Sequence, residues 1–226
     1  MEKTKDLIII GAGETALLAY EYFTHDSNYN VIAFAVEQAF IEQESLYDLP
    51  VIALENLQKK YPAESFDLFV AISSGKLNRN RKNMYLKLKA LGYKFASYIS
   101  SKAFVWRNVE IGENCFILED NTLQPFVKIG NNVTLWSGNH IGHRTVIGDH
   151  CFISSHCVIS GFCEIGKSSF LGVNCSLEDH VKIAEDNFIG AGALIQKETE
   201  PKAFHQEKQT EISKINTHRL FRIKES

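Results

Sequence analysis

Four histidines lie within 17 residues of one another and provide the strongest signal for chemistry in this chain. They are His140, His143, His150 and His156. A neutral imidazole can take a proton from an attacking amine or hydroxyl near neutral pH, so histidine is the side chain most often used as a general base. The spacing lacks the His-x-x-x-x-His pair that a shared histidine metal site would use. We therefore predict an acid–base role for at least one of them, and no metal.

A glycine-rich turn provides a second candidate site. The apolar run from Leu7 to Ile10 predicts a short buried strand, and Gly-Ala-Gly-Glu-Thr-Ala follows it before a helix-like segment. The backbone N–H groups of such a turn and of the helix start bind phosphate. We favour one nucleotide diphosphate over a nicotinamide dinucleotide, because the segment is short for two nucleotide-binding halves; a purely structural turn remains the alternative. The candidate contacts are Gly11, Gly13, Glu14 and Glu37.

A polar loop follows the strand predicted over residues 66–72. Its candidate substrate contacts are Ser73, Ser74, Lys76, Asn78 and Arg81. The two cations among them could neutralise phosphate. A solvated loop leading into a helix is an equally good interpretation of the same residues.

A strict six-residue repeat must position the histidines. Every sixth residue from Ile99 to Ile195 is Ile, Leu or Val, with no break in phase. Neither a helix nor an ordinary strand has this period, whereas three hexapeptides make one coil of triangular section. The pattern predicts a left-handed parallel β-helix with these aliphatic side chains inside. The glycine that often follows the aliphatic residue suits a turn.

The chain therefore divides into three predicted segments. Residues 1–98 alternate strands and helices, which predicts a small Rossmann-like parallel α/β domain. Residues 99–197 form the left-handed parallel β-helix, so the fold class is α/β plus β-solenoid. Residues 198–226 form a C-terminal extension.

Residues 18 apart should stack in adjacent coils, and this places Gly161 directly above His143. A glycine there leaves room for a ligand and exposes a backbone N–H. A thioester transferase needs both features, a base near the attacking atom and a donor for the oxyanion. Stacking also aligns Phe116, Phe152, Phe170 and Phe188 in one outward column, for which we expect a partner subunit in a homotrimer.

Composition excludes several functions. The five cysteines share one small inward position, where free cysteine behaves as a small hydrophobe, and the odd count without a CxxC motif argues against disulfides and zinc. The net charge of −3 gives no indication of nucleic-acid binding. With no signal peptide and no long apolar run, we expect a soluble cytoplasmic protein that does not enter membranes.

These features together resemble a known family. A short nucleotide-binding α/β domain followed by an uninterrupted β-helix is similar to bacterial acetyltransferases that modify nucleotide-linked amino sugars, and to the related sialic-acid-type O-acetyltransferases. The stretch from Trp136 to Gly148 resembles the catalytic coil of that family. The resemblance implies that His143 is the general base and that the Gly161 amide is the oxyanion donor.

The resemblance also implies ligand contacts. The glycines of the family's coenzyme A groove match Gly172, Gly190 and Gly192, and Gly161 is expected to contact the coenzyme as well. The phosphate-binding turn of the family matches the Gly-Ala-Gly-Glu turn, and its polar loop begins at Ser73.

We therefore expect transfer of an acyl group from acetyl-CoA to the amine of a nucleotide-linked deoxy amino sugar. His143 removes the proton, Gly161 stabilises the oxyanion, and Asn139 and His140 position the sugar or the base. Two alternatives stay open. The acceptor could be a sugar hydroxyl, or the chain could be a non-catalytic scaffold that binds nucleotide sugars.

Overall fold

A parallel α/β sheet forms the first part of the chain in the computed structural model, which describes residues 2–206 and 211–223. The strands are β1 (Lys5–Ile10), β2 (Tyr29–Val36), β3 (Ser45–Leu46), β4 (Leu49–Ala53), β5 (Asp67–Val70) and β6 (Lys94–Phe95). The helices are α1 (Glu14–His25), α2 (Leu57–Lys60) and α3 (Arg79–Ala90), with 3₁₀ turns at Gln38–Phe40 and Leu54–Asn56. The strand order is β3-β4-β2-β1-β5-β6, and neighbours are parallel except for β3 and β4.

The central strand of this sheet is covered on both faces. Leu7 and Ile9 of β1 pack into one apolar cluster, Ile8 and Ile10 pack into another, and none of the four is more than 1% exposed. A continuous apolar run is what a parallel strand between two helical layers requires. The carboxyl ends of β1, β2 and β5 consequently meet at one edge of the sheet.

Three further sheets, each made of two-residue parallel strands, form the rest of the fold. The first face contains β7 (Tyr98–Ile99), β10 (Phe116–Ile117), β13 (Thr134–Leu135), β16 (Phe152–Ile153), β19 (Phe170–Leu171), β22 (Phe188–Ile189) and β24 (Phe204–His205). The second contains β8 (Phe104–Val105), β11 (Thr122–Leu123), β14 (His140–Ile141), β17 (Val158–Ile159), β20 (Ser176–Leu177) and β23 (Leu194–Ile195). The third contains β9 (Glu110–Ile111), β12 (Lys128–Ile129), β15 (Val146–Ile147), β18 (Glu164–Ile165) and β21 (Lys182–Ile183).

The six-residue repeat forms the interior of this prism. Strands pair with the strand 18 residues later, as Leu123 does with Ile141, and this stacking is consistent with the predicted left-handed β-helix. From Ile117 to Ile195 every repeated aliphatic residue is at most 8% exposed. The five cysteines are free and buried among them, which confirms their predicted inward position.

The glycine directly after the aliphatic residue begins the turn, as Gly142 does by accepting the Thr145 N–H at 3.2 Å, but it does not provide the left-handed backbone of that turn. The left-handed backbone recurs three residues after the aliphatic position, at Arg144 and Phe162 for example, where φ is 59° and 58°. The glycine directly after the aliphatic residue meets a different constraint. A Cβ on Gly172 would lie 2.6 Å from the backbone nitrogen of Ala191 in the next coil. These glycines therefore begin the turns, as predicted, and they also allow the coils to approach closely.

The α/β domain packs on the first face of the prism. Phe116 is only 2% exposed, and its ring contacts Tyr22 and Phe69 of the α/β domain at centroid distances of 5.7 Å and 5.3 Å. The prediction that Phe116 meets a partner subunit is therefore wrong, because the chain's own first domain covers it. Phe152, Phe170 and Phe188 do form a stacked column, with centroids 5.1 Å and 4.7 Å apart.

The C-terminal segment is a short addition to the prism. β24 pairs in parallel with β22, and a five-residue helix, α4 (Thr217–Phe221), lies further along. Ile212 and Phe221 are 96% and 70% exposed. None of the helices within residues 2–206 and 211–223 is long and apolar enough to cross a membrane.

Candidate functional site

A cavity of about 720 Å³ opens at the edge where β1, β2 and β5 end. Five predicted contacts line it, namely Gly11, Gly13, Glu14, Glu37 and Ser73. The structure thus brings the glycine turn, the residue after β2 and the start of the polar loop together.

The two glycines of the turn have different reasons to be glycine. Gly11 has φ +127°, and a Cβ there would lie 2.6 Å from the carbonyl oxygen of Ala71. Gly13 caps the start of α1, and a Cβ there would meet no atom within 4 Å. The start of a twelve-residue helix, with its unpaired N–H groups, therefore faces the cavity, which Glu14 and Thr15 of the first turn also line.

The opposite wall is one face of α3, whose residues were not predicted as contacts from the sequence. Asn80, Asn83, Met84 and Lys87 all line the cavity. They lie three, four and seven positions apart, which is the spacing of one helix face. A polar stripe at this spacing, directly after the polar loop, was the signal that could have found them.

Two predicted contacts in the polar loop are structural instead. The Asn78 side chain is buried and donates to the carbonyl oxygen of His150 at 2.8 Å. Arg81 is 2% exposed, and burial lowers the pKa of its guanidinium to about 10. Neither side chain is available to phosphate, so both predictions are wrong. Ser74 lines a separate cavity of about 130 Å³ between the two domains, and Lys76 is exposed.

Arg81 joins the two domains. Its Nε donates to Val70 of β5 at 2.9 Å, while Nη1 and Nη2 donate to the carbonyl oxygens of Asn132 and Asn114 at 2.8 Å each. Nη1 also donates to Oγ1 of Thr134 at 3.1 Å. A planar guanidinium can serve several carbonyl oxygens at fixed angles, which explains why an arginine fits here.

His143 lies at the corner between the second and third faces. Its ring rests on the backbone of Gly161, where an added Cβ would lie 2.6 Å from Cε1 and 2.9 Å from Nδ1 of the histidine. The ring also meets Phe162 edge-on, with centroids 4.9 Å apart, and the side chain is exposed. The predicted stacking of this histidine under a glycine is therefore present, and only a glycine leaves space for it.

The Gly161 amide already has an acceptor. Its N–H donates to Oδ1 of Asp179 at 2.7 Å, and the aspartate side chain is exposed. Asp179 stands 18 residues after Gly161, so the stacking rule that placed Gly161 above His143 places this carboxylate one coil further.

The other three histidines lie elsewhere on the prism. His140 is half-buried on the second face, and His156 is exposed over Gly138 at the corner of the first and second faces. His150 is 6% exposed at the corner of the third and first faces, where burial lowers its pKa to about 4. Among the described residues no group of three or more His, Cys, Asp or Glu side chains could hold a metal ion.

Asn139 is not a substrate contact. It is 1% exposed, its Nδ2 donates to Oδ1 of Asn121 at 3.0 Å, and its Oδ1 accepts from the backbone N–H of Cys157 at 2.8 Å. The amide is thus used to connect three successive coils. This corrects the prediction that Asn139 positions the sugar or the base.

The predicted coenzyme glycines are divided between two corners of the chain. Gly161 lies between the second and third faces, whereas Gly172, Gly190 and Gly192 lie between the first and second faces. Gly192 is exposed with φ +74°. The four glycines therefore do not line one groove within a single chain.

The cavity and His143 are also far apart within one chain. The α/β domain contacts the first face and its two flanking corners, through Phe116, Glu119 and His150 among others. His143 occupies the remaining corner, which in a triangular prism lies opposite the first face. One chain consequently carries the two halves of the candidate site on opposite sides.

Comparisons with known proteins support the fold. A profile of the family described as bacterial transferase hexapeptide (six repeats) matches residues 108–141 and 126–161. The acetyltransferase domain of PglB from Neisseria gonorrhoeae has 22% identity and a TM-score of 0.79, over 89% of this chain and 96% of that one. PerB from Caulobacter crescentus, solved with CoA and GDP-perosamine, has 22% identity and a TM-score of 0.77, over 88% and 92%. WeeI from Acinetobacter baumannii has 18% identity and a TM-score of 0.71, over 89% and 96%.

These likenesses extend over both domains of the chain. The resemblance to bacterial nucleotide-amino-sugar N-acetyltransferases that the sequence predicted is confirmed as a shared fold.

Proposed function

We propose that this chain is an acyltransferase that moves an acetyl group from acetyl-CoA to the amine of a nucleotide-linked amino sugar. The observation that carries the proposal is the pair of half-sites on one chain, a cavity at the start of α1 and a histidine resting on a glycine amide. The likeness to PerB supports this pairing, because that protein was solved with CoA and a nucleotide-linked amino sugar.

The cavity suits the nucleotide diphosphate. The start of α1 provides unpaired N–H groups and the positive end of the helix dipole, both of which favour phosphate. Lys87 on the opposite wall adds one cation, while Asn80 and Asn83 can donate and accept hydrogen bonds. We infer that this cavity holds the nucleotide and leaves the sugar directed outward.

His143 and Gly161 carry the chemistry in this proposal. The imidazole takes the proton as the sugar nitrogen attacks the thioester carbon, and the Gly161 N–H stabilises the oxygen that becomes negative. Collapse of the tetrahedral intermediate breaks the carbon–sulfur bond, and the proton passes from His143 to the departing thiolate. No metal takes part in these steps.

A complete site requires a second copy of the chain, because cavity and histidine lie on opposite sides of one prism. The second face suits the contact in a homotrimer better than the predicted column of Phe152, Phe170 and Phe188, because that column lies on the first face, which carries the α/β domain. The outward positions of the second face carry no Lys, Arg, Asp or Glu, and are occupied by Phe104, Thr122, His140, Val158, Ser176 and Leu194. The third face instead carries exposed ion pairs, such as Lys128 with Glu110 at 3.0 Å, which keep it solvated.

The same contact would unite the divided glycines. Gly161 borders the second face on one side, and Gly172, Gly190 and Gly192 border it on the other. When second faces meet around a closed ring, the border of one chain lies beside the opposite border of the next. The coenzyme groove is then shared between chains, like the sugar site.

A thiol-release screen tests the proposed activity. Acetyl-CoA would be offered with UDP-, dTDP- and GDP-linked amino sugars, and each matching sugar with a hydroxyl in place of the amine would serve as the control. We expect thiol release with at least one amino sugar. Release only with hydroxyl sugars would indicate an O-acetyltransferase, and nucleotide-sugar binding without any release would indicate a scaffold; either result refutes the proposal.

Subunit mixing tests the shared site. Gly13→Asp places a carboxylate in open space at the start of α1, so the fold should tolerate the substitution. The negative charge should repel a diphosphate and prevent nucleotide binding. Each variant alone should be inactive. When Gly13→Asp and His143→Ala chains are co-expressed and mix randomly, about a quarter of the shared sites should combine an intact Gly13 with an intact His143, which should restore about a quarter of wild-type turnover. No recovery in verified mixed oligomers would place both halves of the site in one chain.

A further inference from the structure

The Asp179 carboxylate occupies the place that an acyl oxygen would need. The Gly161 N–H donates to Oδ1 of Asp179 at 2.7 Å, and the His143 ring rests against the same glycine. A carboxylate oxygen at that distance has the position and the negative charge of the oxyanion in a tetrahedral intermediate. In this chain the oxyanion donor is thus already engaged by a side chain of the next coil.

A similar contact elsewhere in the prism shows what a purely structural version looks like. At the corner of the third and first faces, the Asn131 N–H donates to Oδ1 of Asp149 at 2.6 Å, again across 18 residues. That corner carries the α/β domain, and its one histidine, His150, is buried there beside Asn78 of that domain. Asp149 is half-buried, whereas Asp179 is exposed and can rotate into solvent. The two aspartates thus make matching hydrogen bonds in different surroundings.

We propose that Asp179 is a displaceable internal ligand of the oxyanion donor, which acetyl-CoA must remove in order to place its carbonyl oxygen on the Gly161 N–H. This inference rests on the proposed acyltransferase function. It makes Asp179 a positioning residue that acts through Gly161. It also distinguishes acetyl-CoA from CoA, because CoA has no acyl oxygen and leaves the carboxylate in place.

The strength of the two hydrogen bonds sets the expected effect. A hydrogen bond to a carboxylate is about twice as strong as one to a neutral carbonyl oxygen. The need to displace the Asp179 carboxylate therefore weakens acetyl-CoA binding. Binding would be tighter in a chain in which only water accepts from the Gly161 N–H. Loss of the Asp179 charge could also strengthen binding of both ligands through their phosphates. The ratio of the CoA Kd to the acetyl-CoA Kd removes that shared contribution.

The test is calorimetric titration of acetyl-CoA and CoA into the wild-type protein and three variants. We expect Asp179→Ala to raise the ratio of the CoA Kd to the acetyl-CoA Kd by roughly five-fold. Asp179→Asn keeps a neutral acceptor of the same shape, so it should raise the ratio by a smaller factor. Asp149→Ala removes the matching contact at the other corner and should leave the ratio unchanged.

The outcomes separate this inference from the proposed function. An unchanged or lower ratio in both Asp179 variants, with normal acetyl-CoA binding, refutes the role of Asp179 and leaves the acyltransferase proposal intact. A rise in Asp149→Ala as large as that in Asp179→Ala also refutes it, because the effect would then be a general loosening of the coils. Wild-type protein that binds neither ligand refutes both. If Asp179→Ala does not fold, the ratio of the CoA Kd to the acetyl-CoA Kd in Asp179→Asn tests the inference by itself. A rise supports the role of Asp179, and no rise refutes it.

Discussion

Removal of the Arg81 side chain is expected to loosen the contact between the two domains. Arg81→Met keeps most of the buried apolar stem and removes four hydrogen bonds, to Val70, Asn132, Asn114 and Thr134. The carbonyl oxygens of Asn114 and Asn132 belong to fully buried residues and would lose this donor. No buried charge is left behind, but a buried acceptor that loses its donor costs about 1–3 kcal/mol, so the loss of all four hydrogen bonds together should cost about 3–5 kcal/mol.

This loss should be visible in thermal unfolding. In a chain of 226 residues, 1 kcal/mol shifts Tm by about 2–4 °C, so that Arg81→Met should lower Tm by roughly 6–20 °C. Circular dichroism melting at neutral pH measures the shift. Arg81→Lys should rescue little, because one ammonium cannot reach four acceptors at the angles of a guanidinium.

Arg79 is the matched control, two positions away on the same helix. Its Nη2 lies 2.5 Å from Oδ1 of Asp186, and the two side chains are 35% and 20% exposed. A partly solvated ion pair contributes about 1 kcal/mol or less, so Arg79→Met should lower Tm by only a few degrees. If Arg81→Met melted no earlier than Arg79→Met but lost nucleotide-sugar binding, Arg81 would be a phosphate contact and the reasoning from its hydrogen bonds would be refuted.

Three other variants test the site, the core and the domain contact. His143→Ala should lower kcat by about 10²–10⁴ with little change in KM, and unchanged turnover would refute its role as base. Cys157→Ala should cost about 1–2 kcal/mol of stability and leave turnover intact, whereas lost turnover at an unchanged Tm would indicate a catalytic thiol. Burial lowers the pKa of His150 from the usual 6.5 to about 4 in the folded state, so stability should fall as pH drops between these values. Urea titrations of His150→Gln should show a flatter dependence over this range, and an equally steep one would contradict the assignment.

The β-helix could be predicted from the sequence because its pattern of residue types is short and repeats along the chain. One inward aliphatic residue in six defines the coil, and the structure keeps that register from Ile117 to Ile195. The same stacking rule placed Gly161 beside His143 and aligned Asp179 with both. The glycine turn was equally readable, because a strand, a tight turn and a helix start are adjacent in the chain, and Gly11, Gly13 and Glu14 do line the cavity.

Residues at the domain contact could not be predicted in this way. Arg81, Asn78 and Phe116 have the sequence signature of exposed phosphate contacts or an exposed column, and all three are buried where the α/β domain meets the prism. Their surroundings depend on which face of the prism the first domain covers. No local pattern encodes that choice, because it follows from contacts between residues that are distant in the chain.

Asn139 and His143 show the same division within one coil. The two residues are four positions apart, and both suit a site by type. The sequence by itself determined the coil, its inward register and the pairing of His143 with Gly161, since each follows from a period of six. Only the tertiary structure decided that the side-chain amide of the inward Asn139 bonds to neighbouring coils, that Asp179 holds the Gly161 amide, and that cavity and histidine face opposite sides of the prism. These are relations in three dimensions between coils, corners and domains, and the free energy of burial and hydrogen bonding that sets them is shared among residues far apart in the chain.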